Sequence, residues 1–324
     1  MNVEGVCYGY RWWAPAAGRG SLPPVVLVHG FAQSAASWEA VARRLAEDRA
    51  VYALDLLGCG GSDRPEDPEA YSLAAQGQAL AAFVRLVCGQ AEGAAAVEAS
   101  ASSGAAAAGI LAFPDAAPAV ATPADVPASS GDAAMFHVKP WVVGYSMGGR
   151  IVLAAAAADK AFSQLVGGIV LESAGLGPAT ESDRAAAASA DAHHAAMLRT
   201  AGVEVFFAYW EDLPLFATQR DLPDDVRRSV AAERLAHDAE SLARAFDCAG
   251  QHCMPARDRT LETLQRLVAA KIPVCYLAGQ LDRKYAAVAA DLKAALPAVA
   301  VRIIPDAGHN THLENPEGFL SAWA

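Results

Sequence analysis

The stretch Trp141-Val142-Val143-Gly144-Tyr145-Ser146-Met147-Gly148-Gly149-Arg150 decides how the rest of the chain is read. Its first three residues form a short apolar run of the kind that makes a strand buried on both faces, and Gly149 to Ala158 reads as a helix. Between them, Gly144-Tyr145-Ser146-Met147-Gly148 matches G-x-S-x-G. Glycines at that spacing let a strand turn sharply into a helix and leave the serine hydroxyl projecting above the sheet. The five-letter pattern is common by itself; its place between a buried strand and a helix is what gives it weight.

Working outward, Val25-Val26-Leu27-Val28 is another buried strand, ending in His29-Gly30-Phe31. A helical stretch around Trp38 to Leu45 leads to a strand at Val51 to Leu54, and a further helix runs from about Ser72 to Val87. Downstream, Gln164 to Leu171, Pro273 to Leu277 and Val299 to Ile304 supply more strands. Strand and helix alternate, which predicts an α/β fold with a doubly wound, mostly parallel sheet. Two stretches break the alternation. Residues 91–134 contain no Lys or Arg and are dominated by alanine, so they read as a disordered low-complexity insertion. Residues 175–267 are rich in helix formers and carry Phe206, Phe207, Tyr209, Trp210 and Phe216, so they read as a helical cap over one edge of the sheet. The core is then 1–174 and 268–324.

With 25 basic and 36 acidic residues the formal net charge is -11, which repels a phosphate backbone and argues against nucleic acid as a partner. No apolar run reaches the ~18 to 20 residues of a membrane span, so the chain reads as soluble. Cys7, Cys59, Cys88, Cys248, Cys253 and Cys275 are scattered, and the N-terminus lacks the blocks of a signal peptide. A reducing intracellular compartment fits, the cytoplasm by default. If the alanine-rich insertion reflects a GC-rich algal genome, a plastid or peroxisome enters instead.

A serine hydroxyl becomes reactive when an imidazole takes its proton and a carboxylate orients that imidazole. The order Ser, Asp, His suits this strand-turn-helix geometry. Asp282 follows the strand Pro273 to Leu277, and His309 follows the strand Val299 to Ile304, so both fall on the rim that carries Ser146. Asp306 is the rival acid, but it stands only three residues before His309 in the same loop. His312 is expected to pack or hydrogen-bond near that loop. The backbone N–H groups of Phe31 and Met147 are the candidate oxyanion donors. Gly58 to Asp63 lacks the spacing and lysine of a P-loop and reads as a tight turn at the pocket rim. His237, Cys248, His252 and Cys253 match no zinc spacing, so no metal and no cofactor is expected.

These residues resemble the α/β-hydrolase fold as a whole and, more narrowly, the 2-succinyl-6-hydroxy-2,4-cyclohexadiene-1-carboxylate synthases of menaquinone and phylloquinone biosynthesis. The narrower resemblance rests on Val143 to Arg150, Glu172-Ser173-Ala174-Gly175-Leu176, Phe207-Ala208-Tyr209-Trp210 with Pro214-Leu215-Phe216, Ala278 to Tyr285, and Ala307 to Pro316. It implies a cofactor-free lyase that eliminates pyruvate from 2-succinyl-5-enolpyruvyl-6-hydroxy-3-cyclohexene-1-carboxylate. That substrate carries three carboxylates, and arginine's planar fork suits them. Arg150, one turn into the helix after Ser146, points at the same pocket. The resemblance adds Arg184 and Arg234 from the cap as substrate-binding residues, with Tyr145 and Trp210 as walls. The chain departs from the family's pattern at Ala187, where a second cap arginine is usual. It also stops at Ala324 soon after a final helix begins at Pro316, as a fragment or a module of a larger multifunctional polypeptide would. The rival readings are a serine esterase or carbon–carbon bond hydrolase of the same fold, and a non-catalytic receptor-like module.

Overall fold

The computed structural model describes residues 1–16, 19–101 and 138–324. After a small hairpin of β1 (Asn2–Val3) and β2 (Val6–Cys7), seven strands form one sheet. They are β3 (Tyr10–Trp13), β4 (Val25–Val28), β5 (Val51–Leu54), β6 (Trp141–Tyr145), β7 (Gly168–Glu172), β8 (Val274–Gly279) and β9 (Ala300–Ile304), in the spatial order β3-β5-β4-β6-β7-β8-β9. Within this sheet only β3 runs antiparallel to its neighbour, and the other five pairings are parallel. The all-apolar strands β4 and β5 and the interior strand β8 are buried along their whole length, as a parallel sheet covered on both faces requires.

The helices between strands are α1 (Glu39–Leu45), α2 (Leu73–Ala101), α3 (Met147–Ala158) and α4 (Phe162–Leu165). After β7 come α5 (Glu181–Glu211), α6 (Asp224–Leu235), α7 (Ala239–Ala249) and α8 (Arg257–Ala269), and the chain closes with α9 (Arg283–Ala295), α10 (Thr311–Glu314) and α11 (Pro316–Ser321). Alternation along β4 assigns the layers. Val26 and Val28 pack against α2 and α3, through Leu80, Phe83 and Ile151, while Val25 and Leu27 pack against α1, through Val41 and Leu45, and against Phe319 of α11. From β4 the chain first steps outward to β5 and then back to β6 on the other side. The sheet order therefore reverses between β4 and β6, and a crevice opens at their carboxyl ends.

Four sequence expectations need correction. The strand expected over Gln164 to Leu171 begins only at Gly168, because Phe162 to Leu165 form a helical turn that buries Phe162. The edge strand β3 was not anticipated: Arg11 and a half-exposed Trp12 interrupt its apolar pattern. Residues 91–101 continue helix α2, and the rest of the alanine-rich segment, 102–134, lies outside the described residues. Finally, α8 packs on α3 and β8 instead of on the cap, so the cap's own helices are α5, α6 and α7. Leu198, Phe206 and Phe207 of α5 and Leu242 and Phe246 of α7 share a small core, against which Phe31 packs from the loop after β4. Helix α5 starts on a capping box of Thr180 and Asp183 and breaks at Gly202, where φ is 80°.

Candidate active site

At the end of β6 the backbone of Ser146 is forced to φ 51° and ψ -108°, held there by its own N–H donating to the Glu172 carbonyl at 2.8 Å. The neighbouring glycines are explained by contact: a Cβ on Gly148 would lie 2.2 Å from the Val28 carbonyl oxygen, and one on Gly144 would lie 2.7 Å from Gly149. No larger residue fits where β6 turns into α3 beside β4. Ser146 Oγ stands 3.2 Å from His309 Nε2, and His309 Nδ1 stands 2.8 Å from Asp282 Oδ2. Asp282 also caps α9, with Oδ1 accepting from Tyr285 N at 3.0 Å, so its carboxylate is fixed on both oxygens. His309 and Asp282 are both buried. Asp306, the rival acid, is exposed, and its backbone N–H donates to Gln280 Oε1 at 3.4 Å.

Ser146 and His309 open onto a cavity of about 550 Å³ between the sheet and the cap. Phe31 and Met147 both line it. Met147 begins α3, so its N–H has no intrahelical acceptor, and among the described residues no group accepts from Phe31 N–H either. The Tyr145 ring, 5.4 Å from that of His309, forms one wall; a Cβ on Gly30 would come within 2.6 Å of it. Burial raises the Tyr145 phenol well above its ordinary pKa, so it stays protonated. Trp210 also lines the cavity, in ring contact with Phe31 at 5.4 Å and Phe216 at 5.2 Å.

The cations differ in their state. Arg150 lines the cavity with no hydrogen bond or ion pair among the described residues; its Nε is buried and unpartnered, and burial lowers its pKa. Arg234 also lines the cavity, but its guanidinium already donates to Glu211 Oε1 at 2.8 Å and Gln219 Oε1 at 2.9 Å. Arg184 does not line it. One of its terminal nitrogens donates to the carbonyls of His252 and Met254, at 2.6 and 2.8 Å, because the turn of α5 on which it sits faces the segment after α7. The position three residues on, Ala187, is in the cavity wall as bare apolar surface. The Gly58 to Asp63 loop stays off the cavity as well: Gly61 N donates to Asp55 Oδ2 at 2.9 Å, and Asp55 Oδ1 accepts from Ala35 N at 2.7 Å, so this loop braces the segment after β4.

Sequence reasoning passed over several groups. Lys284 lines the cavity with no ion pair among the described residues, its Nζ 5.2 Å from the Tyr285 ring centre. His194 lines it from α5 among Trp210 and Phe246, its pKa lowered by burial. Glu314 accepts from Gly308 N at 2.7 Å and Asn310 N at 3.1 Å, bracketing His309. His29, buried after β4, accepts at Nε2 from Leu56 N–H and has Nδ1 2.8 Å from the Gly30 carbonyl; burial brings its pKa down to about 4. No group of residues suited to hold a metal ion occurs among the described residues. Among the described residues no helix is long and apolar enough to cross a membrane.

Comparison with known proteins matches residues 25–322 to the family described as the alpha/beta hydrolase family. A Bacillus subtilis (strain 168) protein, provisionally named 2-succinyl-6-hydroxy-2,4-cyclohexadiene-1-carboxylate synthase, is 27% identical over 319 residues, covering 98% of this chain and 95% of its own. The protein of that name from Escherichia coli O1:K1 / APEC is 33% identical over 184 residues, 57% of this chain and 66% of that protein. Among solved structures, MenH from S. aureus superposes with a TM-score of 0.72 at 21% identity, covering 97% of this chain and 95% of that one. A malate-bound thermophilic esterase from Thermogutta terrifontis gives 0.65 at 20% identity, covering 99% and 93%.

Proposed function

The chain belongs to the alpha/beta hydrolase family, and we propose that within it this protein is a lyase that eliminates pyruvate from 2-succinyl-5-enolpyruvyl-6-hydroxy-3-cyclohexene-1-carboxylate. The observation that carries the reading is the partnerless Arg150, joined by Lys284, in the wall of the cavity that holds Ser146 and His309. A guanidinium whose Nε is buried without an acceptor is costly, and an anionic ligand on that guanidinium offsets the cost. A neutral ester would not. The named relatives support the same substrate.

In the proposed reaction the proton lost is on ring carbon 2, acidified by the succinyl ketone and by the adjacent double bond. Ser146 Oγ, relaying to His309 Nε2, removes it, and Asp282 stabilises the imidazolium that forms. Negative charge develops on the ketone oxygen, where the N–H groups of Phe31 and Met147 are assigned to receive it. The electron pair then moves through the ring, the double bond shifts, and the bond from carbon 5 to the enolpyruvyl oxygen breaks. The products are the 2,4-cyclohexadiene and the enolate of pyruvate, which takes up on carbon the proton held by His309 and becomes pyruvate. Arg150 is assigned to a substrate carboxylate, Arg234 to the wall beside Phe216, and Tyr145 and Trp210 to the faces that confine the ring. Arg184 has no part in this scheme.

The test is to incubate the purified protein with the cyclohexene tricarboxylate, follow pyruvate release, and run a short-chain chromogenic ester in parallel. Fast pyruvate release with little ester cleavage is expected. Ester cleavage without pyruvate release would replace the lyase with a hydrolase.

A further inference from the structure

Glu172, the last residue of β7, is fully buried and ends a run of apolar residues, Ile169-Val170-Leu171. A carboxylate in that position must be held by donors. It is held by three: Thr311 Oγ1 at 2.7 Å and His312 N at 2.9 Å, both on Oε1, and His312 Nδ1 at 2.7 Å on Oε2. The same residue's carbonyl accepts the Ser146 N–H at 2.8 Å. One residue therefore grips the serine's turn with its main chain and the loop carrying His309 with its side chain. These two segments otherwise come from different strands, and His312 is 140 residues away in sequence.

The surroundings leave that grip one arrangement. The His312 ring is stacked on Trp38 with centroids 3.8 Å apart and meets Tyr145 edge-on at 5.1 Å, while Tyr145 in turn abuts His309. His312 Nε2 is buried with no partner, so the ring's proton belongs on Nδ1, where Glu172 accepts it. We propose that Glu172 is a positioning residue that sets the distance between Ser146 Oγ and His309 Nε2 by tying the Thr311–His312 segment to the serine turn. The inference rests on the reading that Ser146 and His309 work as a pair, though not on which substrate they serve.

Glu172→Gln tests it. A glutamine can keep its oxygen toward Thr311 and His312 N, but its amide then faces Nδ1–H, and moving that proton to Nε2 leaves it without an acceptor. The His309 loop should shift by a fraction of an ångström, lowering kcat by about 10- to 100-fold with KM within about 3-fold of wild type. A second readout, the rate at which a fluorophosphonate labels Ser146, should fall in parallel. It needs no lyase substrate, so it decides the matter even if the wild-type protein releases no pyruvate. Should Glu172→Gln not fold, His312→Leu and His312→Asn carry the test. Leucine loses the donor and should lose kcat and labelling at least about 10-fold, whereas asparagine places an N–H where Nδ1 stands and should recover most of both. The proposal is overturned if labelling by folded Glu172→Gln stays within 2-fold of wild type, if its loss lies in KM alone, or if the two His312 variants behave alike.

Discussion

Replacing Arg150 with methionine should separate binding from folding. In most proteins, removing a buried arginine leaves a carboxylate stranded and costs several kcal/mol. Here the guanidinium has no partner to strand, and its Nε is a buried donor without an acceptor. Methionine keeps much of the apolar stem while deleting that orphan donor, so stability should hold or rise by about 1 to 2 kcal/mol. A charge-assisted, bidentate contact with a substrate carboxylate is worth about 1.5 to 3 kcal/mol, so kcat/KM for the tricarboxylate should drop roughly 10- to 150-fold. Arg150→Lys restores charge without the fork and should recover only part of this. The assay is pyruvate release across a concentration series, beside urea unfolding of each variant and hydrolysis of a neutral chromogenic ester. The ester rate should barely change. Equal losses on ester and tricarboxylate, or a marked fall in stability, would show that Arg150 supports the turn at Ser146 instead of binding anion.

Ser146→Ala, His309→Ala and Asp282→Asn should each lower turnover by about 10² to 10⁴-fold with native unfolding curves, and the Ser146 and His309 losses should not add in the double variant. Arg184→Ala should instead cost about 1 to 3 kcal/mol of stability, by freeing the His252 and Met254 carbonyls, with KM unchanged; a raised KM would return Arg184 to the pocket. His29 predicts a pH dependence whose sign is fixed. Its folded pKa, about 4, lies below the ordinary 6.5, so the unfolded chain binds the extra proton between those values. The stabilisation, roughly 3 kcal/mol, is then complete above pH 6.5 and is lost as the pH falls toward 4. Urea unfolding at pH 7 and pH 4.5, with an NMR titration of the His29 ring, checks this; protonation of folded His29 near pH 6.5 would remove the effect.

Features legible in the sequence share one property: their signal is local. The β4, β5 and β8 strands are unbroken apolar runs, and the serine turn is written in five consecutive residues whose glycines answer to contacts with Val28 and Gly149. Asp282 and His309 could be found because each lies in the loop just after a strand, the buried β8 and the edge strand β9. Arg184 was misdirected because the turn of α5 on which it lies settles where its guanidinium points, and that depends on how the cap packs. The assignment of α8 failed for a related reason, since a helix's composition does not say which layer will receive its apolar face. Glu172 did carry a signal, a carboxylate closing a buried apolar strand, but its partners Thr311 and His312 lie too far along the chain to be paired by pattern.

Helix α3 shows how one element carries both the costs of the site and what offsets them. At its start a non-glycine residue holds a positive φ, which costs about 1 to 3 kcal/mol, and two glycines follow in positions where alanine would favour the helix by about 1 kcal/mol each. One turn later stands the unpartnered arginine. Ser146 and Arg150 line the cavity, while the two glycines pack against the Val28 carbonyl and Ala174. On the other side Ile151, Val152 and Ala155 are buried, with α2 lying along them as a partner whose Leu80, Phe83 and Val84 are fully covered. Full burial of side chains of this size is worth about 1.5 to 3 kcal/mol apiece, so a few such contacts outweigh the strain at the turn. The helix is thereby held by a face that has no contact with the reaction. Ser146 can keep its strained backbone and Arg150 its unpartnered Nε because stability is supplied from the opposite side of the same helix.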